Sequence, residues 1–437
     1  MTEKTRINKT TNSFDRNFLN ALKGAVTAAA ARIARSAPVD IQKSYQYEGG
    51  AISHKVVPGF GIHSKLSLMR WIRSESPEFE PFQTQGSLAQ NFPIWIATCF
   101  GGSAIQPETF VAHLAQVVAE SNGEISADDV VKHFTSALLT GQVRMRITAH
   151  LKNHAPLPPN FNVILSNGVV FRCLSDAELE TVLKVDIWDS SKLDPFSNRS
   201  VLEYDFETEL LLSPMQAPPL DPWPKVLTPI EEVHTALHCY LPGSTPIELI
   251  RLKSLNPGIP VGRISIGKQH SSISHYDLTN VRLRTLSSFV KKCIKPCRPN
   301  LELAKNRLRD AENRTSALDA IIDAFVGIEA LLNSENTPEI TTRVALNYAS
   351  LSPKTVRQSN YRKLKDLYNV RSKIVHGAYK AGTSYKIDGV TREINEIALA
   401  SKALLRELIQ RFVNDDGLRE QITINTKFWE AKYFSCG

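Results

Sequence analysis

No stretch of this sequence approaches eighteen consecutive apolar residues, so there is no segment to propose as a membrane span. Its first residues, MTEKTRINKT, carry no signal-type apolar run. The expectation is therefore a protein without a membrane partner that works in the cytoplasm, where it is made. Six cysteines in 437 residues are too sparse for a disulfide scaffold and suit a reducing interior. There is no Walker-type glycine-lysine loop, no GxGxxG after a strand and no HExxH, which leaves nucleotide-triphosphate, dinucleotide and zinc-protease chemistry without a motif.

What the chain does have is length, apolar content and a cationic surplus. At 437 residues it exceeds what one hydrophobic core usually organises, so two or three domains are expected. A formal charge of +8 and a pI near 9.1 permit attraction to a polyanion without requiring it. Cys293 and Cys297 stand closest among the thiols, but a zinc site needs two further ligands and only the remote His270 and His275 are candidates, so ordinary thiols are preferred. His234, His238 and Cys239 share a helix face at i, i+4 spacing. Without a third well-spaced ligand they read as a packed helix.

Residues 1–50 are expected to form an arm with an amphipathic helix from Phe14 to Arg35, whose Phe18, Leu22, Val26 and Ile33 follow the helical period. Residues 51–212 read as a mixed α and β domain. Its helices are Pro107 to Ala119 and the run from Ser126 to Leu139; its strands are Asn91 to Phe100, Phe161 to Cys173, Thr181 to Ile187 and Val201 to Leu212. The proline-rich SPMQAPPLDPWPKVLTP segment, 213–229, reads as a linker or extended arm. Residues 230–298 continue the middle region, with a short helix near Ile230 to Leu241 and strands near Ile259 to Ile266 and Val281 to Leu286. Lys291 and Lys292, with Lys295 and Arg298, make a basic cluster at its end, facing either phosphate or solvent.

From Leu301 the texture becomes helical. Leu303, Leu308, Leu318, Ile321, Ile322, Phe325, Ile328, Leu331 and Leu332 require one long helix or two nearly contiguous ones. Glu339 to Tyr348, Lys363 to Val375 with Gly377 as its stop, and a long pattern from Ile394 to Phe412 complete four principal helices. A helical bundle over 299–415, followed by a tail over 416–437, is the economical solution. The expected fold is thus a multidomain chain: a mixed α/β N-terminal and middle region followed by an all-α bundle.

Three segments of that bundle carry a resemblance. LYNVRSKIVHG, from Leu367 to Gly377, contains Arg371 and His376 as an Arg-x4-His motif; DAIIDAFVGIEALL places Glu329 at an acidic position; and TTRVALNYA places Arg343 at a basic one. In order and spacing they resemble the HEPN superfamily, more particularly its Apea-like group, over roughly a quarter of the chain. The resemblance implies a homodimer that joins two Arg-x4-His motifs in one cleft, metal-independent RNA cleavage in active members, and a phage-defence setting in which a separate N-terminal region responds to a phage-derived trigger. Ser372 departs from the Asn, Asp or His common after the motif arginine in active members. That departure keeps a second reading open, a non-catalytic module that binds RNA or organises a partner complex.

The chemistry explains why these residue types are needed. RNA supplies its own nucleophile in the 2′-hydroxyl, so the protein needs proton transfer and charge stabilisation but no cofactor. Histidine serves the first and a permanently charged arginine the second. Five residues along a helix rotate two side chains by about 140°, so Arg371 and His376 do not share a narrow stripe: they can flank a cleft, or His376 can lie on the frayed helix end beside Gly377. Glu329, Arg343 and Ser372 are the supporting residues, with Arg343 expected as the partner of Glu329. Lys363, Lys365, Lys373, Lys291 and Lys292 are the RNA-binding candidates. The bland alternative is that Arg371 pairs with Glu329 or Asp366 and that His376 caps its helix.

Overall fold

A computed structural model of the chain describes residues 16–35, 40–48, 51–59, 62–83, 88, 95–98, 101–104, 106–121, 123–151, 161–175, 178, 199–211, 223–256, 259, 262–266, 283–333, 340–421, 428–429 and 431–432. The expected strand from Thr181 to Ile187, and His270 and His275, lie outside them.

The first four helices are α1 (Arg16–Arg35), α2 (Ile62–Glu75), α3 (Pro107–Glu120) and α4 (Ala127–Thr140). The α1 periodicity read from the sequence is the face that packs: Phe18, Leu22, Ala25, Val26 and Ala29 are buried, and the helix lies on α3 and α4. Local signals set the α4 boundaries. Ser126 and Asp129 form a reciprocal capping box at its start, and Gly141 takes φ 65° at its end.

The chain then enters β5 (Gln142–Leu151), the centre of a six-stranded sheet. The other strands are β6 (Asn162–Ile164), β7 (Val170–Cys173), β8 (Ser200–Glu209), β9 (Ile247–Ser254) and β10 (Gly262–Ile266), in the order β10-β9-β5-β8-β7-β6 with every pair antiparallel. The single strand expected from Phe161 to Cys173 is a hairpin, because Asn167 and Gly168 take φ 65° and 81° and turn the chain. Separate hairpins join β1 (Asp40–Glu48) to β2 (Ala51–Gly59) and β3 (Trp95–Thr98) to β4 (Gly101–Ala104). Strand alternation gives β5 one apolar face, with Val143, Met145, Ile147 and Ala149 buried. Its other face carries Arg146, Thr148 and His150.

The helical region comprises α5 (Trp223–Tyr240), α6 (Leu283–Cys293), α7 (Pro299–Glu312), α8 (Ala317–Leu332), α9 (Ile340–Ser350), α10 (Arg357–Val375), α11 (Ile394–Asn414) and the short α12 (Asp416–Gln421). A small hairpin, β11 (Tyr385–Ile387) with β12 (Val390–Arg392), is inserted before α11. The α7 and α8 helices lie together, α11 crosses both, and α10 packs on α8 and α9.

Two expectations are corrected. The linker assigned to 213–229 is helix from Trp223 onward; 213–222 lie outside the described residues. Pro224 sits in the first turn, where no backbone donor is needed, and Pro229 is tolerated inside α5 because Ile230, Val233, Ala236 and Leu237 are fully buried. The strand expected at Val281 to Leu286 is the start of α6 from Leu283, whose Leu286, Phe289, Val290 and Cys293 form a helical i, i+3, i+4, i+7 face. Six residues were too short a window to separate the two periods.

The regions also interleave rather than follow one another. After α5 the chain returns to the sheet for β9 and β10 before the remaining helices. Asn167, in the β6–β7 turn, donates to the Pro229 carbonyl of α5 at 3.2 Å. On its bundle side, α5 receives Arg406 at the His238 carbonyl (3.1 Å) and Gln410 at the Cys239 and Tyr240 carbonyls (3.0 and 2.9 Å). One continuous apolar core accordingly extends from Phe18 to Trp429.

Candidate functional site

Of the residues singled out by the sequence, Lys363, Lys365, Arg371, Ser372, Lys373 and His376 lie on or at the end of α10. Leu364, Leu367, Tyr368 and Val370 bury one face of this helix, which leaves Arg371 at the margin of the buried surface and His376 beyond it. Arg371 reaches Glu329 on α8, Nη2 to Oε1 at 3.2 Å, and its guanidinium lies over the Tyr368 ring at 5.4 Å. The Tyr368 hydroxyl donates to the same Glu329 oxygen at 2.8 Å. Burial and the neighbouring carboxylate push the Tyr368 phenol up to about 12, so it stays a neutral donor. Phe325 supports the ring edge-on at 5.5 Å. Glu329 and Arg371 are only about one-fifth exposed, at 23% and 19% of their side chains, and the buried Arg371 Nε–H has no acceptor among the described residues.

His376 ends α10. Its own N–H donates to the Ser372 carbonyl at 3.0 Å, Gly377 donates to Ile374 at 3.2 Å, and Ala378 donates to Lys373 at 2.8 Å. With Gly377 at φ 71°, this is a Schellman cap that consumes the orphan carbonyls of the last turn. The imidazole itself is exposed. Three residues before it in the chain, Lys373 lies over the Tyr385 ring at 5.3 Å, and Tyr385 stacks on Tyr379 with centroids 6.5 Å apart and planes 22° apart. The β11–β12 hairpin holds this group in place: Asp366 accepts from the Asp388 N–H at 2.9 Å and Ser359 donates to the Asp388 carboxylate at 2.7 Å.

Other predicted residues fall differently. Arg343 is half-buried on α9, and no ion pair joins it to Glu329 among the described residues; Arg371 and Tyr368 hold that carboxylate instead. Ser372 is half-buried and contributes its backbone carbonyl to the cap. Lys365 is exposed above Tyr361 at 5.7 Å, and Lys363 is half-buried nearby. Lys291 and Lys292 are remote. Lys292 donates to Asn414 at the last residue of α11, whereas α11 begins beside the hairpin; its 21 residues separate the two places by about 30 Å.

His234 and His238 are fully buried. Their rings bond to the Thr245 and Gly243 carbonyls at 2.6 and 3.2 Å and approach each other at 3.3 Å, the geometry of packed neutral imidazoles. Cys293 is buried, and the Cys297 thiol lies 3.4 Å from the Glu302 carboxylate.

Tyr368, Tyr379 and Tyr385 are the site residues that sequence reasoning missed. Tyr368 is three positions before Arg371, a spacing that shares a helix face. The tyrosines beyond Gly377 had no helical frame to place them. None of three comparisons, with protein-family models, with curated proteins and with solved structures, returns a match.

Proposed function

We propose that this chain is a metal-independent endoribonuclease of the HEPN type, acting as a homodimer in antiphage defence, with Arg371 and His376 as its catalytic residues. The observation that supports the reading is the end of α10: an exposed His376 on a capped helix end, three residues from a Lys373 that lies over one of two stacked tyrosine rings. Stacked tyrosines beside Lys373 suit an unpaired base and its phosphate.

In the proposed reaction the RNA 2′-oxygen attacks the adjacent phosphorus as a histidine takes its proton. The new O2′–P bond replaces the P–O5′ bond, and a second histidine returns a proton to the departing O5′. The products are a 2′,3′-cyclic phosphate and a free 5′-hydroxyl. One chain offers one motif histidine, so base and acid come from two copies of His376 across a dimer. Arg371 neutralises charge growing on the phosphate oxygens, a contribution of about 2 to 4 kcal/mol for a single preorganised donor.

The test is cleavage of total RNA by the full chain in a chelator, with and without extract from phage-infected cells. Cyclic-phosphate ends that disappear in Arg371→Ala and His376→Ala, with dimer mass retained, support the reading. Intact RNA under every condition overturns it.

A second reading rests on a specific observation. Arg371 is already engaged by Glu329 and Tyr368, and to clamp a phosphate it must share or leave that carboxylate. A non-catalytic module that binds RNA or holds a partner needs no such rearrangement. Folded Arg371→Ala and His376→Ala proteins that keep both RNA binding and the biological phenotype would select it.

A further inference from the structure

A groove of about 730 Å³ runs where α5, the start of β9 and the corner between α7 and α8 meet. Junctions between folded layers are common places for small-molecule sites, and this volume is in their usual range. His234 of α5 lines the groove while being only 6% exposed. Its Nε2 lies 2.6 Å from the Thr245 carbonyl, which can only accept, so Nε2 carries the proton. Burial lowers the His234 pKa to about 4, so the ring is neutral and Nδ1 is a bare lone pair. His238 agrees with that assignment: its Nδ1–H donates to the Gly243 carbonyl, and its Nε2 accepts a share of the His234 proton at 3.3 Å. Among the described residues no donor meets His234 Nδ1.

Two donors line the groove with this acceptor. Asn313, at the end of α7, accepts from the buried Ser244 hydroxyl at 2.6 Å through Oδ1, which turns its amide N–H groups away from Ser244. Arg309, one turn earlier, directs Nη1 to Thr235 at 3.2 Å and Nη2 to Asp310 at 3.4 Å, and its Nε–H has no protein partner among the described residues. Buried Pro246 and half-buried Ile247 add an apolar wall. The charges do not select an ion. Arg309 faces Asp310, Arg314 bonds Asp323 at 2.7 Å, and the remaining carboxylates, Glu231 and Asp319, repel an anion where the two arginines repel a cation.

We propose that this groove binds a nucleobase, with an N–H of the base donating to His234 Nδ1 and its neighbouring ring nitrogen or carbonyl accepting from Asn313 and Arg309. Each of the four bases carries an N–H beside such an acceptor on one edge, and each has a flat face suited to the Pro246 and Ile247 wall. A buried acceptor without a protein donor favours a ligand that supplies the missing N–H and discriminates against one that lacks it. The proposal does not rest on the RNA-cleaving reading. Asp319 at the groove and Glu329 at the α10 site are ten residues apart on α8, about 15 Å along its axis.

The experiment is calorimetric titration of the full chain with adenosine, guanosine, cytidine and uridine in turn, and with a short 2′-O-methyl RNA strand that the proposed cleavage cannot consume. The comparison chains are Asn313→Asp and Thr315→Trp. Asn313→Asp keeps the oxygen that accepts from Ser244 and replaces the amide donor by an acceptor. Thr315 is exposed on the groove wall, so Thr315→Trp fills the groove without entering the core; circular dichroism checks both folds. Binding to the native chain that weakens by about tenfold or more in both variants supports the site. The ¹⁵N resonance of His234 Nδ1 in a histidine-labelled chain, assigned by its loss in His234→Gln, should move as the nitrogen gains a donor. Nucleoside binding with this behaviour identifies a free ligand, and binding of the strand alone with this behaviour identifies a base within RNA. No heat with any probe at millimolar concentration, equal affinity in native and both variant chains, or an unmoved Nδ1 resonance at saturation overturns the proposal.

Discussion

Two acid-centred clusters in the helical region use nearly the same chemistry and are placed very differently. At the crossing of α7 and α11, Glu312 is 1% exposed, bonded to Lys402 at 2.7 Å and paired with Arg406. Arg406 also donates to the His238 carbonyl, so this cluster fastens α5 onto the bundle. Glu329 at the end of α8 is held by Arg371 and Tyr368, with both ionised side chains about one-fifth exposed. The first cluster is dry and satisfied. The second sits at the rim, with one Arg371 donor unused. A buried ionic cluster locks geometry because breaking it strands a charge, whereas a rim cluster can exchange a partner for a ligand at modest cost.

The largest effect that sharpens this contrast is Glu312→Gln. It leaves Arg406 and Lys402 without their carboxylate and should destabilise the chain by about 3 to 5 kcal/mol. Urea unfolding measures the loss. A change under about 1 kcal/mol, the range of an exposed pair, would mean that water reaches this cluster and that the two sites are not physically different.

Acid is the next largest perturbation, and it falls on the same α5 junction. Burial lowers the His234 pKa from 6.5 to about 4, and His238 is lowered well below its usual value for the same first reason. The unfolded chain therefore binds protons that the folded chain refuses. Stability is at its full value above pH 6.5 and falls as pH drops toward about 4, by on the order of 3 kcal/mol for His234 alone. His113 of α3 is likewise lowered to about 4, mainly by burial, so the α/β region contributes to the same slope. Denaturation at pH 7 and pH 5 of native and His234→Gln chains should show a shallower pH dependence in the variant. An identical slope would assign the acid sensitivity to other groups.

At the rim, Tyr368→Phe removes one hydrogen bond to a carboxylate that keeps Arg371 and some water. The expected loss is about 1.5 to 3 kcal/mol at most, toward the lower end because Glu329 is partly exposed. The informative readout is functional. If Tyr368 holds Glu329 and thereby Arg371, RNA cleavage in Tyr368→Phe should fall while His376 chemistry keeps its pH profile. Unchanged cleavage would make the tyrosine a packing residue only.

The same contrast governs what was readable. Helices α8, α10 and α11 were legible because their apolar periods run for many residues and bury continuous faces. Proline at 229 misled, since burial of the α5 face outweighs the lost backbone bond, and burial is a tertiary fact. The β11–β12 hairpin had a local signal in Asp388-Gly389, whose φ values are 47° and 82°, but its strands are only three residues each, too short for an alternating pattern to stand out. At the site, Arg371, His376 and Glu329 were legible as residues, and the Arg371–Glu329 pair was legible as one alternative beside Asp366, whereas the Tyr368 bond to the same carboxylate was not. The sheet-face ladder was beyond reach: Arg146 and Asp205 lie 59 positions apart, and only strand register brings them together.

The smallest expected effect compares two helix ends, one in each region. Gly141 closes α4 at φ 65° and Gly377 follows the end of α10 at φ 71°, and a Cβ built on either meets nothing within 4 Å. Alanine at each position therefore carries the left-handed backbone penalty without a clash, about 1 to 2 kcal/mol. The two variants should lose similar stability in thermal or urea denaturation. They should differ in function, because only the Gly377 cap fixes the backbone of His376 and the start of the segment bearing Tyr379. Gly377→Ala should reduce RNA cleavage or binding beyond what its stability loss explains, and Gly141→Ala should leave both unchanged at a temperature where each protein is folded. Equal functional behaviour of the two would show that the α10 cap is a helix stop like the α4 cap, and that the exposed imidazole beside it does no chemistry that depends on its placement.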